Sequence, residues 1–315
     1  MDFTCPIFTA KKWGNPEGKP VLCLHGWLDN ACSFDGLAPL FPNDKFQFLA
    51  IDIQGHGFST HYPAGMTYRF SDSLTTLRFV KEHFGWDKFT IMGHSMGAAV
   101  TIWYASIFSE DVDRIISLDL VNVGPITLEK HPKKSKNSIL TGVEVFKKLE
   151  GAKVPKYDYI DAVARAYMAN QFAHGNDSIT QASVETLMKR GLIEVEGTNK
   201  VTWSADLRLR VPATFNALEE QVMFYSSNIK CPMLLLKTTG SHWYMQEEIA
   251  KRIIKTYMNH NPNFEMHKVE GGHHVHMDEP QKVIDLVNPF LLKTEFHVED
   301  ESKKDKQENF PLDLF

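Results

Sequence analysis

The chain has 315 residues, of which 43% are hydrophobic and 23% charged, with a formal net charge of −5. That length buries a large core and admits one or two domains. The acidic balance leaves no basic surplus to neutralise phosphates, which argues against nucleic acid or an anionic membrane as partner. The longest apolar stretches, such as residues 97–105, are about half of a bilayer span.

The opening MDFTCPIFTAKKWG lacks the basic-then-apolar order of an export signal. Cys5, Cys23, Cys32 and Cys231 are too few for a disulfide framework, and Cys23 and Cys231 sit in or beside apolar runs where a thiol behaves as a small hydrophobe. A reducing, cytoplasmic setting is expected. The chain lacks a Ser-Lys-Leu ending, so nothing points to a peroxisomal address.

In chain order, apolar strand-like runs appear at 20–24, 46–53, 89–92, 115–121, 233–237 and 264–269. Helical stretches separate them. Leu74, Leu77, Val80 and Phe84 form one stripe closed by Gly85, and further helices run over 96–109, 246–258 and 280–292. This alternation is that of an α/β chain with a mostly parallel central sheet flanked by helices. It breaks between residues 125 and 228, which read as mostly helical and lack clear strand runs. An insertion too long for a bare loop is expected to form a helical cap after the sixth strand. The core is then 1–124 with 229–293. Residues 294–315, charged and poor in apolar side chains, are expected to be a disordered tail.

The sharpest motif is Gly93-His94-Ser95-Met96-Gly97, set between the strand FTIM and the helical AAVTIWYASIF. A serine displayed on a tight strand-to-helix turn points out of the sheet, and the helix N-terminus behind it favours developing negative charge. Earlier, His25-Gly26-Trp27 ends the strand PVLCL, where a backbone amide is placed to serve an oxyanion. Later, Glu270-Gly271-Gly272-His273-His274-Val275-His276 follows a strand. A serine hydroxyl needs a base, and histidine has the suitable pKa. His273 directly follows the glycine turn and is preferred, with His274 and His276 as rivals. These histidines with Asp278 are not expected to hold a metal, since close neighbours on one loop cannot all point inward.

The order of HGW, DIQGHGFS (52–59), GHSMG and GGHHVHMDEP resembles the α/β-hydrolase superfamily. HGWLDNACSFD, the SADLRL stretch near Asp206 and the histidine loop are similar to the serine hydrolase-like, kraken-type proteins, over roughly residues 5 to 293. The resemblance implies the α/β-hydrolase fold with Ser95 as nucleophile, His273 as base, and the amides of Trp27 and Met96 as the oxyanion hole. It gives the 52–59 motif a structural role, so His56 is not catalytic. It implies two-step acyl transfer without a cofactor, on a small uncharged or weakly polar acyl substrate.

Many such relatives carry the triad acid after the seventh strand, yet Thr238-Thr239-Gly240-Ser241-His242-Trp243-Tyr244 contains no carboxylate. Asp119, at the end of the sixth strand, is the favoured acid, giving the chain order nucleophile, acid, base. Glu247, Glu248 and a dyad without an acid remain alternatives. Trp27, His94, Trp243 and Tyr244 are expected to meet substrate. Tyr167, Met168, Phe172, Phe215 and Phe224 of the insertion are expected mostly in its core, with a few lining the pocket. The rival function is a non-catalytic ligand-binding or scaffold protein that kept the pocket. A separate reading has the terminal Phe310-Pro311-Leu312-Asp313-Leu314-Phe315 docking on a protein partner.

Overall fold

A computed structural model describes residues 2–42, 44–151, 155–175, 178–214 and 216–297. Its strands are β1 (Asp2–Thr4), β2 (Thr9–Gly14), β3 (Lys19–Leu24), β4 (Phe46–Ile51), β5 (Phe89–His94), β6 (Val112–Leu118), β7 (Leu192–Glu194), β8 (Val201–Trp203), β9 (Met233–Thr238) and β10 (Phe264–Val269). The helices are α1 (Phe70–Phe84), α2 (Met96–Ile107), α3 (His131–Gly151), α4 (Tyr159–His174), α5 (Gln181–Gly191), α6 (Glu219–Ser227), α7 (Glu247–His260), α8 (Val275–Asp278) and α9 (Pro280–Leu292). Eight strands form one sheet in the order β1-β2-β4-β3-β5-β6-β9-β10. β1 and β2 pair antiparallel, and every pairing from β4 to β10 is parallel.

The period-two alternation of each strand sorts its side chains onto two faces. Leu22, Leu24, Leu49, Ile51, Ile91 and Ile115 share one cluster with α1, α2 and α7. Val21, Cys23, Phe48, Ala50, Met92 and Ile116 share the other with α9. α9 presents Val283, Ile284, Val287, Phe290 and Leu291, all buried, at the spacing of one helical face. Each such side chain contributes about 1.5–3 kcal/mol on leaving water.

The six strand runs and four helices read from the sequence are all present, with ends shifted by a few residues. β6 ends at Leu118 because Asp119 adopts φ +57°, outside strand geometry. β2 was not anticipated: Lys11 and Lys12, one on each face and both half-buried, interrupt the apolar alternation. The stretch between β6 and β9 holds α3 to α6, and also an antiparallel hairpin of β7 and β8 where no strand was expected. Trp203 and Val201 pack there against the helical cluster of Ala162, Val163, Val184 and Leu187. Met168, Phe172 and Phe224 are exposed, Phe172 at 95%, and Met168 with Tyr167 lines a small surface cavity between α4 and α5 rather than the one beside Ser95. Phe215 lies outside the described residues.

The expected tail boundary also moves. Phe296 packs edge-on to Phe290 (6.0 Å) with the Arg114 guanidinium 5.0 Å over its ring. Asn263 exchanges two hydrogen bonds with the His297 backbone, at 2.8 and 2.9 Å. Residues 298–315, including the 310–315 segment, lie outside the described residues. No helix among the described residues is long and apolar enough to cross a membrane.

Candidate active site

The site lies at the C-terminal edge of the parallel strands, where ligands bind in open α/β sheets. Register builds it. Gly93 pairs with Ser117 and His94 with Leu118, which sets Ser95 beside Asp119 across the β5–β6 boundary. Leu118 pairs with Leu236, so Asp119 in turn meets the end of β9.

Ser95 occupies the turn from β5 into α2 with φ 51° and ψ −116°. Its N–H donates to Leu118 O (3.1 Å), and its carbonyl accepts from Ala98 and Ala99 at the start of α2. A Cβ on Gly93 would lie 2.3 Å from Gly97 O, and one on Gly97 2.2 Å from Leu24 O, so the turn closes only with glycine at both positions. The Ser95 hydroxyl makes no capping bond to the helix it precedes. It remains available.

Asp119 is 2% exposed and makes a full set of hydrogen bonds. Oδ1 accepts from Lys237 Nζ (2.7 Å) and Thr238 N (2.9 Å); Oδ2 accepts from His273 Nδ1 (2.6 Å) and Ser241 Oγ (2.5 Å). Burial by itself raises this carboxyl, but the hydrogen bond from His273 and the Lys237 ammonium outweigh it and hold the group at about 2. Lys237 also bonds to Ser241 Oγ. His273, at 1% exposure, lies under the His174 ring (4.4 Å, 22°) and against Tyr244 (4.9 Å) and His94 (4.6 Å). Burial lowers its pKa well below the ordinary value, more than the hydrogen bond to Asp119 raises it. The ring is therefore neutral near pH 7, with Nδ1 donating to Asp119 and Nε2 left with a lone pair. Such an imidazole is able to accept a proton.

The loop after β3 brings in Trp27, whose Nε1 donates to Leu209 O (3.0 Å) and whose side chain is 47% exposed. Among the described residues no hydrogen bond occupies the backbone N–H of Trp27 or of Met96. Met96 begins α2, where first-turn amides have no intrahelical partner. Trp27 and Met96 line a cavity of about 430 Å³ with Ile53, Tyr62, Tyr68 and Leu209. Ser95 and His273 are not among its lining residues.

Other expectations are redistributed. His94, expected to meet substrate, is fully buried behind the turn, with Nε2 donating to His273 O (2.9 Å). As the last residue of β5, two after Met92, it falls on the sheet face that carries α9 rather than on the site side. Trp243 packs in the sheet core beside the Lys237 ammonium (5.3 Å), away from the cavity. Tyr244 covers His273 and bonds through its hydroxyl to His174 Nδ1 (2.9 Å). The rival histidines turn elsewhere: His276 to Ser33 Oγ (2.8 Å), His274 to Asp29 and Ser178 O. Glu247 and Glu248 pair with Lys251 on the outer face of α7. His56 bonds the backbone at Ile53 and Gln54, and Asp52 anchors the 52–59 turn through Ala31 N and Phe58 N.

Lys237, Ser241 and His174 were missed by the sequence reading. Lys237 ends an otherwise apolar strand, MLLLK, and that lone charge was the available signal. Nothing in sequence brings His174 near His273.

A profile of the α/β hydrolase fold family matches residues 19–280. The chain is 32% identical over 297 residues to the serine hydrolase-like protein of Danio rerio, covering 92% of this chain and 88% of that one. It is 31% identical over 296 residues to the Mus musculus protein of the same name, covering 89% and 91%. A solved structure of a hypothetical protein from Pseudomonas aeruginosa PAO1 shares 28% identity at a TM-score of 0.78, covering 93% of this chain and 98% of the other. With the family profile spanning most of the sheet and helices described above, this chain belongs to the α/β hydrolase fold family.

Proposed function

We propose that the protein is a serine esterase acting by acyl transfer, with Ser95 as nucleophile, His273 as general base and Asp119 as the acid behind it. The observation that carries the reading is the 2.6 Å bond from His273 Nδ1 to a buried, ionised Asp119, beside a serine held on a strained turn. His273 Nε2 takes the Ser95 proton as Oγ attacks an ester carbonyl. The amides of Trp27 and Met96 receive the oxyanion, and the imidazolium returns its proton to the leaving alcohol. A water deprotonated by His273 then releases the acid. The elements between β6 and β9 serve as a cap, supplying Leu209 and Val211 to the cavity and His174 over the base. The apolar lining favours an uncharged or weakly polar acyl group. Four buried free cysteines fit a reducing, cytoplasmic setting.

The test is labelling with a fluorophosphonate probe. Wild type is expected to label and Ser95→Ala to lose labelling with an unchanged melting transition. Normal ester turnover by the alanine variant would refute the assignment. One observation favours a second reading: His273 is roofed by His174 and Tyr244, and the cavity passes beside Ser95 rather than over it. A non-catalytic ligand-binding protein would bind a small acyl ligand while wild type fails to label.

A further inference from the structure

We propose that Asp29, His94 and His274 form a buried zinc site behind the nucleophile turn. The three residues come from separate segments: the loop after β3, the end of β5, and the turn before α8. Asp29 is 5% exposed, His94 0% and His274 1%. Asp29 Oδ2 lies 3.6 Å from His94 Nδ1 and 3.3 Å from His274 Nε2, and the three atoms all lie within 4.8 Å of one another. Despite this closeness, Asp29 Oδ2 and His94 Nδ1 are buried without a hydrogen-bond partner. Their lone pairs converge on shared space instead of aligning as donor and acceptor. Ligands of a tetrahedral zinc, bonded at about 2.0–2.1 Å, sit about 3.3–3.4 Å apart.

The ring protons point away from this space. His94 Nε2 is 2.9 Å from His273 O, and a carbonyl only accepts, so this nitrogen donates and Nδ1 of the neutral ring keeps its lone pair. His274 Nδ1 likewise donates to Ser178 O (3.2 Å), leaving Nε2 free to bind. Zinc-bound histidines almost always donate their other ring N–H to a carbonyl or carboxylate. Two such rings and a carboxylate make three protein ligands, a number that leaves one position of a tetrahedral zinc open. Among the described residues no lysine or arginine forms an ion pair with Asp29, and His94 and His274 are the basic groups beside its buried charge.

Gly26 keeps the space open. A Cβ there would stand 2.9 Å from Asp29 Oδ2 and 3.0 Å from His94 Nδ1. His276 Nδ1 is a further buried nitrogen without a partner, its ring 4.2 Å from that of His94, but it stands outside the group of three. Asp278, the carboxylate next to these histidines in sequence, instead accepts from Thr180 N and Oγ1. An ion at this point would clamp together the loops that carry Trp27, Ser95 and His273. It would do so without touching the hydroxyl or the base.

The experiment uses the full chain, produced with zinc supplied and then desalted. Mass spectrometry of the metal content is expected to find about one zinc per chain. A strong chelator is expected to lower the melting temperature by several degrees, with recovery on adding zinc but not magnesium. Asp29→Ala is expected to lose the zinc. If that variant does not fold, cobalt substituted into wild type is expected to show the visible bands of a four-coordinate nitrogen and oxygen site. Metal-free protein with a chelator-insensitive melt would overturn the proposal, with His274 then carrying the proton that neutralises Asp29. Zinc retained in Asp29→Ala would overturn it equally, as binding at exposed histidines such as His242 and His260. Silent cobalt spectra would do the same.

Discussion

Replacing Arg190 by methionine tests how the segment between β6 and β9 is fastened to the sheet. Arg190, in α5, donates from Nε (2.9 Å) and Nη2 (2.7 Å) to Asp52 Oδ2 at the end of β4. Asp52 is fully buried and also accepts from Thr9 Oγ1 (2.8 Å), Ala31 N (2.7 Å) and Phe58 N (2.9 Å). Methionine keeps most of the stem but leaves a buried carboxylate with neutral donors alone. Breaking a buried pair from one side costs about 3–5 kcal/mol, and the three surviving donors put this case near the lower end. At about 2 °C per kcal/mol for a chain of this size, the melting temperature is expected to fall by about 6 °C at pH 7. The pH dependence has a definite sign. Burial raises the Asp52 carboxyl, but Arg190 and the backbone donors outweigh it, so the folded pKa is depressed. Its stabilisation is therefore present above the ordinary carboxylate range, near 4, and is lost as pH falls through the depressed value. Without Arg190 the burial effect dominates, and the variant takes up its proton at higher pH and is relieved of the buried charge. The gap between wild type and variant, followed by scanning fluorimetry, should narrow as pH falls from about 6 to about 4. A gap under about 2 °C at pH 7, or one constant with pH, would refute this account.

Further outcomes are expected elsewhere in the molecule. Asp119→Asn should lower kcat on an ester substrate by about 10²–10⁴ with KM little changed, whereas Glu247→Gln and Glu248→Gln should stay within about tenfold of wild type. A larger loss in either glutamate variant would place the acid after β9 instead. Phe296→Ala, or truncation after Lys293, should lower the melting temperature by several degrees, because Phe296 seals Phe290 and Arg114. An unchanged melt in both would show that residues 294–297 contribute nothing to the body.

What the sequence disclosed depended on how local each determinant was. The turn at Ser95 was readable because its glycines, strand and helix are contiguous. Asp119 and His273 could be put forward as candidates because each follows the end of a recognisable strand, and strand ends in a parallel sheet converge on one edge. Lys237 was hidden by its position: a single charge at the end of MLLLK carries no information about the carboxylate across the sheet. His174 and the grouping of Asp29 with His94 and His274 are products of tertiary contact, and no spacing rule links them. His94 was assigned to the wrong side, since adjacency to the nucleophile says nothing about which way a side chain points on a sharp turn. β2 and the β7–β8 hairpin escaped notice because short, half-exposed strands show little apolar period.

Four described residues other than glycine have positive φ: Leu28 (64°), Ser95 (51°), Asp119 (57°) and Tyr244 (58°). Each such backbone costs about 1–2 kcal/mol, so together they consume about 4–8 kcal/mol, comparable with the whole net stability of a typical domain. All four stand on the loops around one sheet edge. A thermostability screen run without an activity filter would be drawn to these positions, and glycine at Ser95 should melt higher than alanine there. A lineage under selection for folding alone would drift the same way, shedding the strain one residue at a time. Strain gathered at four converging places on one edge is what the proposed function would require the chain to keep at the expense of its folding stability.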